Sequence, residues 1–161
     1  MNKILITVLA LLSTLVVALA EDSDQPIEIN AYTVVIDEST GISEYTGDAK
    51  VRQGSLFLSA ELIKVITADN EVLKVVAEGT KEKPAKYSQS QPNQPRFIEA
   101  TAQSIIYDVA NGLVLLKGDA HLVQGFDSFS GETLDYDIVN DKVIVKGSED
   151  GTTRVKFKIK M

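Results

Sequence analysis

Gly47-Asp48-Ala49-Lys50-Val51-Arg52-Gln53-Gly54 sets Ala49 and Val51 on one side of an extended chain and Asp48, Lys50 and Arg52 on the other. Side chains that swap faces at every residue mark a strand with one buried face. The pattern continues in both directions. Leu56, Leu58 and Ala60 alternate with Ser55, Phe57 and Ser59, and Val155, Phe157 and Ile159 alternate with Arg154, Lys156, Lys158 and Lys160. Beyond residue 20 no stretch carries a helical stripe with caps. Strands are predicted at 32–37, 43–53, 55–61, 62–67, 72–78, 85–89, 97–100, 104–109, 113–123, 129–136, 142–146 and 153–159. Short strands at regular spacing, punctuated by Gly, Asn, Asp and Pro, define an all-β sandwich, roll or solenoid. Residues 88–95, with two prolines and several amides, read as a polar loop.

The opening octapeptide returns as Gly118-Asp119-Ala120-His121-Leu122-Val123-Gln124-Gly125, 71 positions later. The match extends forward through Leu58/Phe129, Ser59/Ser130 and Glu61/Glu132, and backward through Val34/Ile105, Val35/Ile106 and Asp37/Asp108. Because face parity is kept as well as identity, the chain is predicted to contain two similar meanders stacked on one apolar interior. Such a stack has unpaired strands at its ends.

Met1-Asn2-Lys3 followed by the apolar run Ile4–Leu19 and the small residues of Ala18-Leu19-Ala20 has the form of a secretory signal peptide. The expected division is therefore residues 1–20 as signal and 21–161 as one domain, the mature chain starting at Glu21 in the periplasm. The whole chain carries a formal charge of −7, and loss of Lys3 makes the mature part more acidic still. That balance argues against nucleic acid as a partner, since phosphate neutralisation needs clustered Lys and Arg. With no cysteine, neither disulfides nor thiolate chemistry is available.

Catalytic groups are scarce. The sole histidine, His121, takes the repeat position of Lys50, which parity places on the solvated face. Glu21, Asp22 and Asp24, and the pair Asp135 and Asp137, lack the loop spacing of a calcium site and read as solvated acids. We therefore expect neither an enzyme nor a metal or other cofactor. Val34, Ile36, Leu56, Leu58, Ile105, Tyr107, Val109 and Phe129 fall on matching parities. Pattern alone leaves open whether they close an ordinary core or line a trough for an acyl chain.

Four segments in order, Asp22-Ser23-Asp24-Gln25-Pro26-Ile27-Glu28-Ile29, then Tyr45 to Gly54, then Lys83-Pro84-Ala85, then Leu115-Leu116-Lys117-Gly118-Asp119-Ala120, resemble the LptA group of OstA-like proteins over nearly all of the chain after the signal. The resemblance implies a V-shaped antiparallel β-jellyroll whose interior cradles the lipid A acyl chains of lipopolysaccharide. It further implies a passive periplasmic bridge between an LptC-like inner-membrane protein and an LptD-like outer-membrane translocon, docked end to end by strand addition, with self-association in the same manner. Positions matching lipid-contacting ones of the family are Ser23, Ile27, Tyr87, Tyr107 and Val109; the family often has Phe at the place of Tyr87. The alternating C-terminal segment Arg154, Val155, Lys156, Phe157, Lys158 and Ile159 is the candidate docking edge, although edge lysines also deter strand addition. A protein-binding periplasmic β-scaffold and an LptC-like membrane-anchored protein of the same fold remain alternatives, and the Ala18-Leu19-Ala20 site tells against the second.

Overall fold

In the computed structural model, which describes residues 25–69, 71–90 and 97–160, every regular element is a strand. In chain order these are β1 (Glu28–Asn30), β2 (Thr33–Asp37), β3 (Ile42–Gln53), β4 (Leu56–Ala68), β5 (Glu71–Glu78), β6 (Ala85–Ser90), β7 (Phe97–Ala102), β8 (Ser104–Asp108), β9 (Leu113–Gln124), β10 (Asp127–Asp137), β11 (Lys142–Lys146) and β12 (Lys156–Lys158). All pairings are antiparallel. The expected all-β jellyroll is thus the observed fold class.

Pairing splits the long strands between two halves. The first half of β3 pairs with β2 and with the second half of β4, which also pairs with β5; the second half of β3 pairs with β1 and with the first half of β4, which also pairs with β6. Strands β9 and β10 do the same for β8 and β11 on one side and for β7 and β12 on the other. One arm of the V therefore runs β2-β3-β4-β5-β8-β9-β10-β11, and the other runs β1-β3-β4-β6-β7-β9-β10-β12. The 71-residue repeat explains this order, because β1–β6 and β7–β12 are two copies of one unit joined by β5·β8 in one arm and β6·β7 in the other.

The four shared strands bend at bulges whose sequence is the repeated Gly-Asp pair. Register slips between Thr46 and Ala49 in β3, and again where Lys117 and Ala120 of β9 face Thr133 and Gly131 of β10. Gly47 and Gly118 hold φ of 86° and 77°, and Asp48 and Asp119 follow at 45° and 48°. Such left-handed values suit Gly, and Asp tolerates them better than a branched residue does. Small residues line the inside of the bend: Ala49 faces Ala60, Ala85 faces Ala102, and Ala120 faces Gly131. All five alanines are buried, which lets the arms meet at the apex. Outward from the apex larger residues fill the space, with Ile63, Leu116 and Leu134 fully enclosed.

Several strand boundaries differ from the sequence expectation. Runs 55–61 and 62–67 are one continuous strand, β4, whose inward residues change from Leu56, Leu58 and Ala60 to Ile63 and Val65 as it rounds the bend. That break in parity imitates a strand boundary. Strand β1 was not foreseen, being three residues long, and the C-terminal strand shrinks from 153–159 to Lys156–Lys158. The signal segment and Ser23 lie outside the described residues, as do Glu21, Asp22 and Asp24.

A Cβ at Gly47 would stand 2.7 Å from the Tyr32 Cβ, whereas one at Gly151, also at positive φ (74°), meets nothing within 4 Å. Gly47→Ala is expected to lower the unfolding free energy by about 2–4 kcal/mol, strain and clash together, and Gly151→Ala by about 1 kcal/mol from strain alone. Urea denaturation of the two variants measures the difference.

Candidate functional site

Side chains on the inner faces of both arms enclose a cavity of about 300 Å³ between them. From the β1 arm come Ile29, Val51, Gln53, Leu56, Leu58 and Tyr87; from the β2 arm come Tyr45, Val65, Val72, Val75, Ile105, Tyr107, Val109 and Val114; Ile27 closes one end. Each position follows from cross-strand register. Ile29, Val51, Leu58, Tyr87, Ala100, Leu122, Phe129 and Phe157 form one row across eight strands, every neighbour a paired residue. Paired residues in a sheet share a face, so the row is a continuous inner surface.

Of the residues expected to hold lipid, Ile27, Leu56, Leu58, Tyr87, Ile105, Tyr107 and Val109 line this cavity. Val34 and Ile36 share the inner face, through their partners Tyr45 and Ser43, but they sit on edge strand β2 and are 49% and 64% exposed. Phe129 lies farther along the row, packed against the core rather than on the cavity wall. Tyr45, Val51, Val65 and Val75 belong to the wall and were not singled out. Their parity within runs 43–53, 62–67 and 72–78 was the available signal, and for Val51 so was its repeat partner Leu122.

Polar groups in the trough are few. Tyr87 donates its hydroxyl to Gln89 Oε1 at 2.5 Å. Burial pushes the Tyr107 phenol above its ordinary range, so it stays protonated and neutral in the trough. Beyond the cavity, toward β11 and β12, the arms close: Ile98, Leu122, Leu134 and Tyr136 are 5%, 2%, 0% and 6% exposed. At the two lateral ends the inner row opens again, with Ile29 39% exposed at one and Phe157 69% exposed at the other.

Outside the trough, His121 is exposed on the outer face, paired with Thr101 and Ser130. Asp135 and Asp137 also point away from the trough, since Tyr136 between them points in. Asp37, Asp108 and Asp137 each accept a backbone N–H two or three residues on, from Ser39, Asn111 and Asn140. Hydrogen bonds to Ser39 and Thr40, to Asn111 and to Asn140 hold the three carboxyls below their usual range, so these acids are turn caps. Among the described residues no group of three or more His, Cys, Asp or Glu is placed to hold a metal ion.

At the candidate docking edge, β12 pairs with β10 through Lys156, Phe157 and Lys158; Arg154 and Val155 precede it and Ile159 follows. Phe157 faces Phe129 on the inner side, so Lys156 and Lys158 point outward. The turn before it is tied by Asp150, which accepts from the Ser148 hydroxyl at 2.5 Å and from Thr152 N and Oγ1 at 3.0 and 2.7 Å.

Comparison with known proteins gives a consistent result. A family model described as LptA/(LptD N-terminal domain) LPS transport protein matches residues 28–150. The lipopolysaccharide export system protein LptH of Pseudomonas aeruginosa is 32% identical over 128 residues, which is 80% of this chain and 72% of that protein. The lipopolysaccharide export system protein LptA of Escherichia coli is 29% identical over 143 residues, 89% of this chain and 76% of its own length. A crystal structure of the Pseudomonas aeruginosa protein, described as the LptA homologous periplasmic component of a conserved lipopolysaccharide transport device, aligns with a TM-score of 0.75 at 26% identity, covering 87% of this chain and 99% of that one.

Those hydrogen bonds from Ser148 and Thr152 hold the Asp150 carboxyl down to about 2. A depressed folded value means that the turn's stabilisation is complete above the unfolded carboxyl value of about 4 and is lost as pH falls through about 2. In an NMR titration the Thr152 amide should move with a midpoint near 2, and Asp150→Asn should abolish that movement.

Proposed function

This chain belongs to the family of LptA and LptD N-terminal-domain lipopolysaccharide transport proteins, and on that premise we propose that it carries lipopolysaccharide through the periplasm with the acyl chains in the trough. The observation that carries the reading is the cavity of about 300 Å³, walled, Gln53 apart, by aliphatic and tyrosine side chains from both arms and continuous with apolar rows that emerge at both ends. Burial of apolar surface contributes roughly 25 cal/mol per Å², enough to hold hydrocarbon without any charged contact. Ile27, Leu56, Leu58, Tyr87, Ile105, Tyr107 and Val109 are the proposed lipid contacts, and Val34 and Ile36 the approach to them. Phe129 and, in the opening segment, Ser23 are further contacts on the same reading. Nothing in the role calls for a catalytic group, and the protein is read as a passive conduit.

We further propose that the bridge grows end to end, with β11 and β12 of one protein set against β2 and β1 of the next. Support comes from inside the chain. The first repeat already presents β5 and β6 to β8 and β7 of the second, and β11 and β12 are the repeat counterparts of β5 and β6, as β2 and β1 are of β8 and β7. An intermolecular junction would reproduce the internal one, with main-chain hydrogen bonds for affinity and side chains for register. LptC-like and LptD-like jellyrolls are the expected neighbours at the two ends. Lys156 and Lys158, pointing outward, leave the inner row free to continue, and with Arg154 and Lys160 they would speed encounter with an acidic partner edge.

Photo-crosslinking from position 107 in cells should capture lipopolysaccharide; its absence there counts against the trough. Tyr107→Asp or Val75→Asp should weaken lipopolysaccharide binding by about tenfold or more while the circular dichroism spectrum is unchanged, and added salt should matter little. A steep salt dependence would instead indicate phosphate recognition.

Removing residues 153–161 should leave a folded protein that neither self-associates nor captures the translocon jellyroll, and changing Arg154, Lys156, Lys158 and Lys160 to Glu should slow association. Light scattering and pull-down read both effects. Persistent oligomers after truncation would show that β12 is not the docking edge.

A further inference from the structure

The two arms are not merely apposed at their tips; they are tied on one side. At the tip of the β1 arm, Gln124 ends β9, and in the turn after β10, at the tip of the other arm, stands Asp141. Gln124 Nε2 donates to Asp141 Oδ1 at 3.4 Å, and the Tyr136 hydroxyl donates to the same oxygen at 3.1 Å. Asp141 holds φ of 49°, and its turn is braced by Asn140 N donating to Asp137 Oδ1 at 3.0 Å. One carboxylate thus gathers a donor from each arm across the mouth of the V.

This tie coincides with the end of the cavity. Val114 is the last wall residue toward the C-terminal edge and is 5% exposed, and beneath the tie Leu122, Leu134 and Tyr136 are sealed. Past it the inner face continues through Phe129 to Phe157. Phe126 and Val139, at the two arm tips, are 76% and 77% exposed, and the Lys160 ammonium sits over the Phe126 ring, 4.4 Å from its centroid. Asp141 itself is exposed, where water competes for its donors and the net contribution of each hydrogen bond is small. A tie of this kind exchanges readily for water, so little is lost when it breaks.

We propose that Asp141, with Gln124 and Tyr136 as its donors, is a clasp that sets the capacity of the trough: closed, it confines acyl chains to the cavity beside Tyr107, and open, it admits them to the inner face at Phe129. The inference rests on the lipid-carrying role proposed above. It makes Asp141 a positioning residue, acting through the separation of the arms. Passage of lipid from one end of the protein to the other then includes breaking this clasp as a distinct step.

The test compares lipopolysaccharide photo-crosslinking from position 107 with that from position 129 in the purified full chain. Asp141→Ala, which removes both bonds, and Gln124→Leu, which removes the one that crosses between the arms, should each raise the yield at 129 by roughly fivefold, the shift expected for loss of that one cross-arm hydrogen bond, with little change at 107. Because the chain has no cysteine, a Gln124→Cys/Asp141→Cys variant can be tethered cleanly with a short, cleavable bis-maleimide. Tethering should abolish capture at 129 and spare 107, and cleavage of the linker should restore it. Equal capture at 129 with and without the tether overturns the proposal, as does a tether that abolishes capture at both positions, since it would then act on binding as a whole. No capture at either position in the untethered protein defeats the transport reading itself.

Discussion

Four strands belong to both arms at once, and the rest of the architecture follows from that. Because β3, β4, β9 and β10 run unbroken from one arm to the other, the two faces of the trough are successive lengths of the same strands. Backbone hydrogen bonding therefore continues through the bend, where the Gly47 and Gly118 carbonyls of the bulges accept from Tyr32 N and Gln103 N, and no separate packing interface is required to bring the faces together. The alanines inside the bend set how closely the arms meet there. Larger residues outward of them set how quickly the arms diverge.

A sheet of this form never closes into a barrel, and the consequence is visible at both lateral ends. Among the described residues, strands β1 and β2 present one pair of unpaired edges, β11 and β12 the other, and the apolar inner rows run out to exposed residues at each. In an isolated protein such edges are a liability. The cationic side chains that face outward on β12 moderate it without interrupting the inner row, which distinguishes this edge from one that is simply blocked. Of the acids, Asp37, Asp108 and Asp137 are occupied in capping turns and Asp141 in bridging the arms, and His121 stands on the opposite face.

Alternation at single-residue spacing made the strands legible, and the 71-residue repeat made the two-unit stack legible, since both depend only on local face parity. The same logic named Leu56, Leu58, Ile105, Tyr107 and Val109 of the cavity wall, while Ile27 and Tyr87 were reached only through the family resemblance. It failed where parity itself changes. At Glu61 and Leu62 the inward set shifts by one, a result of curvature that no local pattern distinguishes from a strand end. Alternation also cannot tell wall from edge. Ile36 and Tyr107 obey the same rule, yet one stands on an outermost strand and the other in the middle of an arm, a distinction made only by strand order. The Gln124–Asp141 contact was illegible for a related reason, joining residues whose proximity depends on how far two arms diverge.

Since the bend is concentrated in bulges and the ladders on either side of it are continuous, the four crossing strands behave as parallel leaf springs. Their stiff lengths are the paired segments, and their compliance resides in a few backbone dihedrals near Gly47 and Gly118. The ladders on either side of the bulges keep their register. The angle between the arms is thus written into two Gly-Asp pairs, and the chain sets the gape of its trough far from the residues that line it.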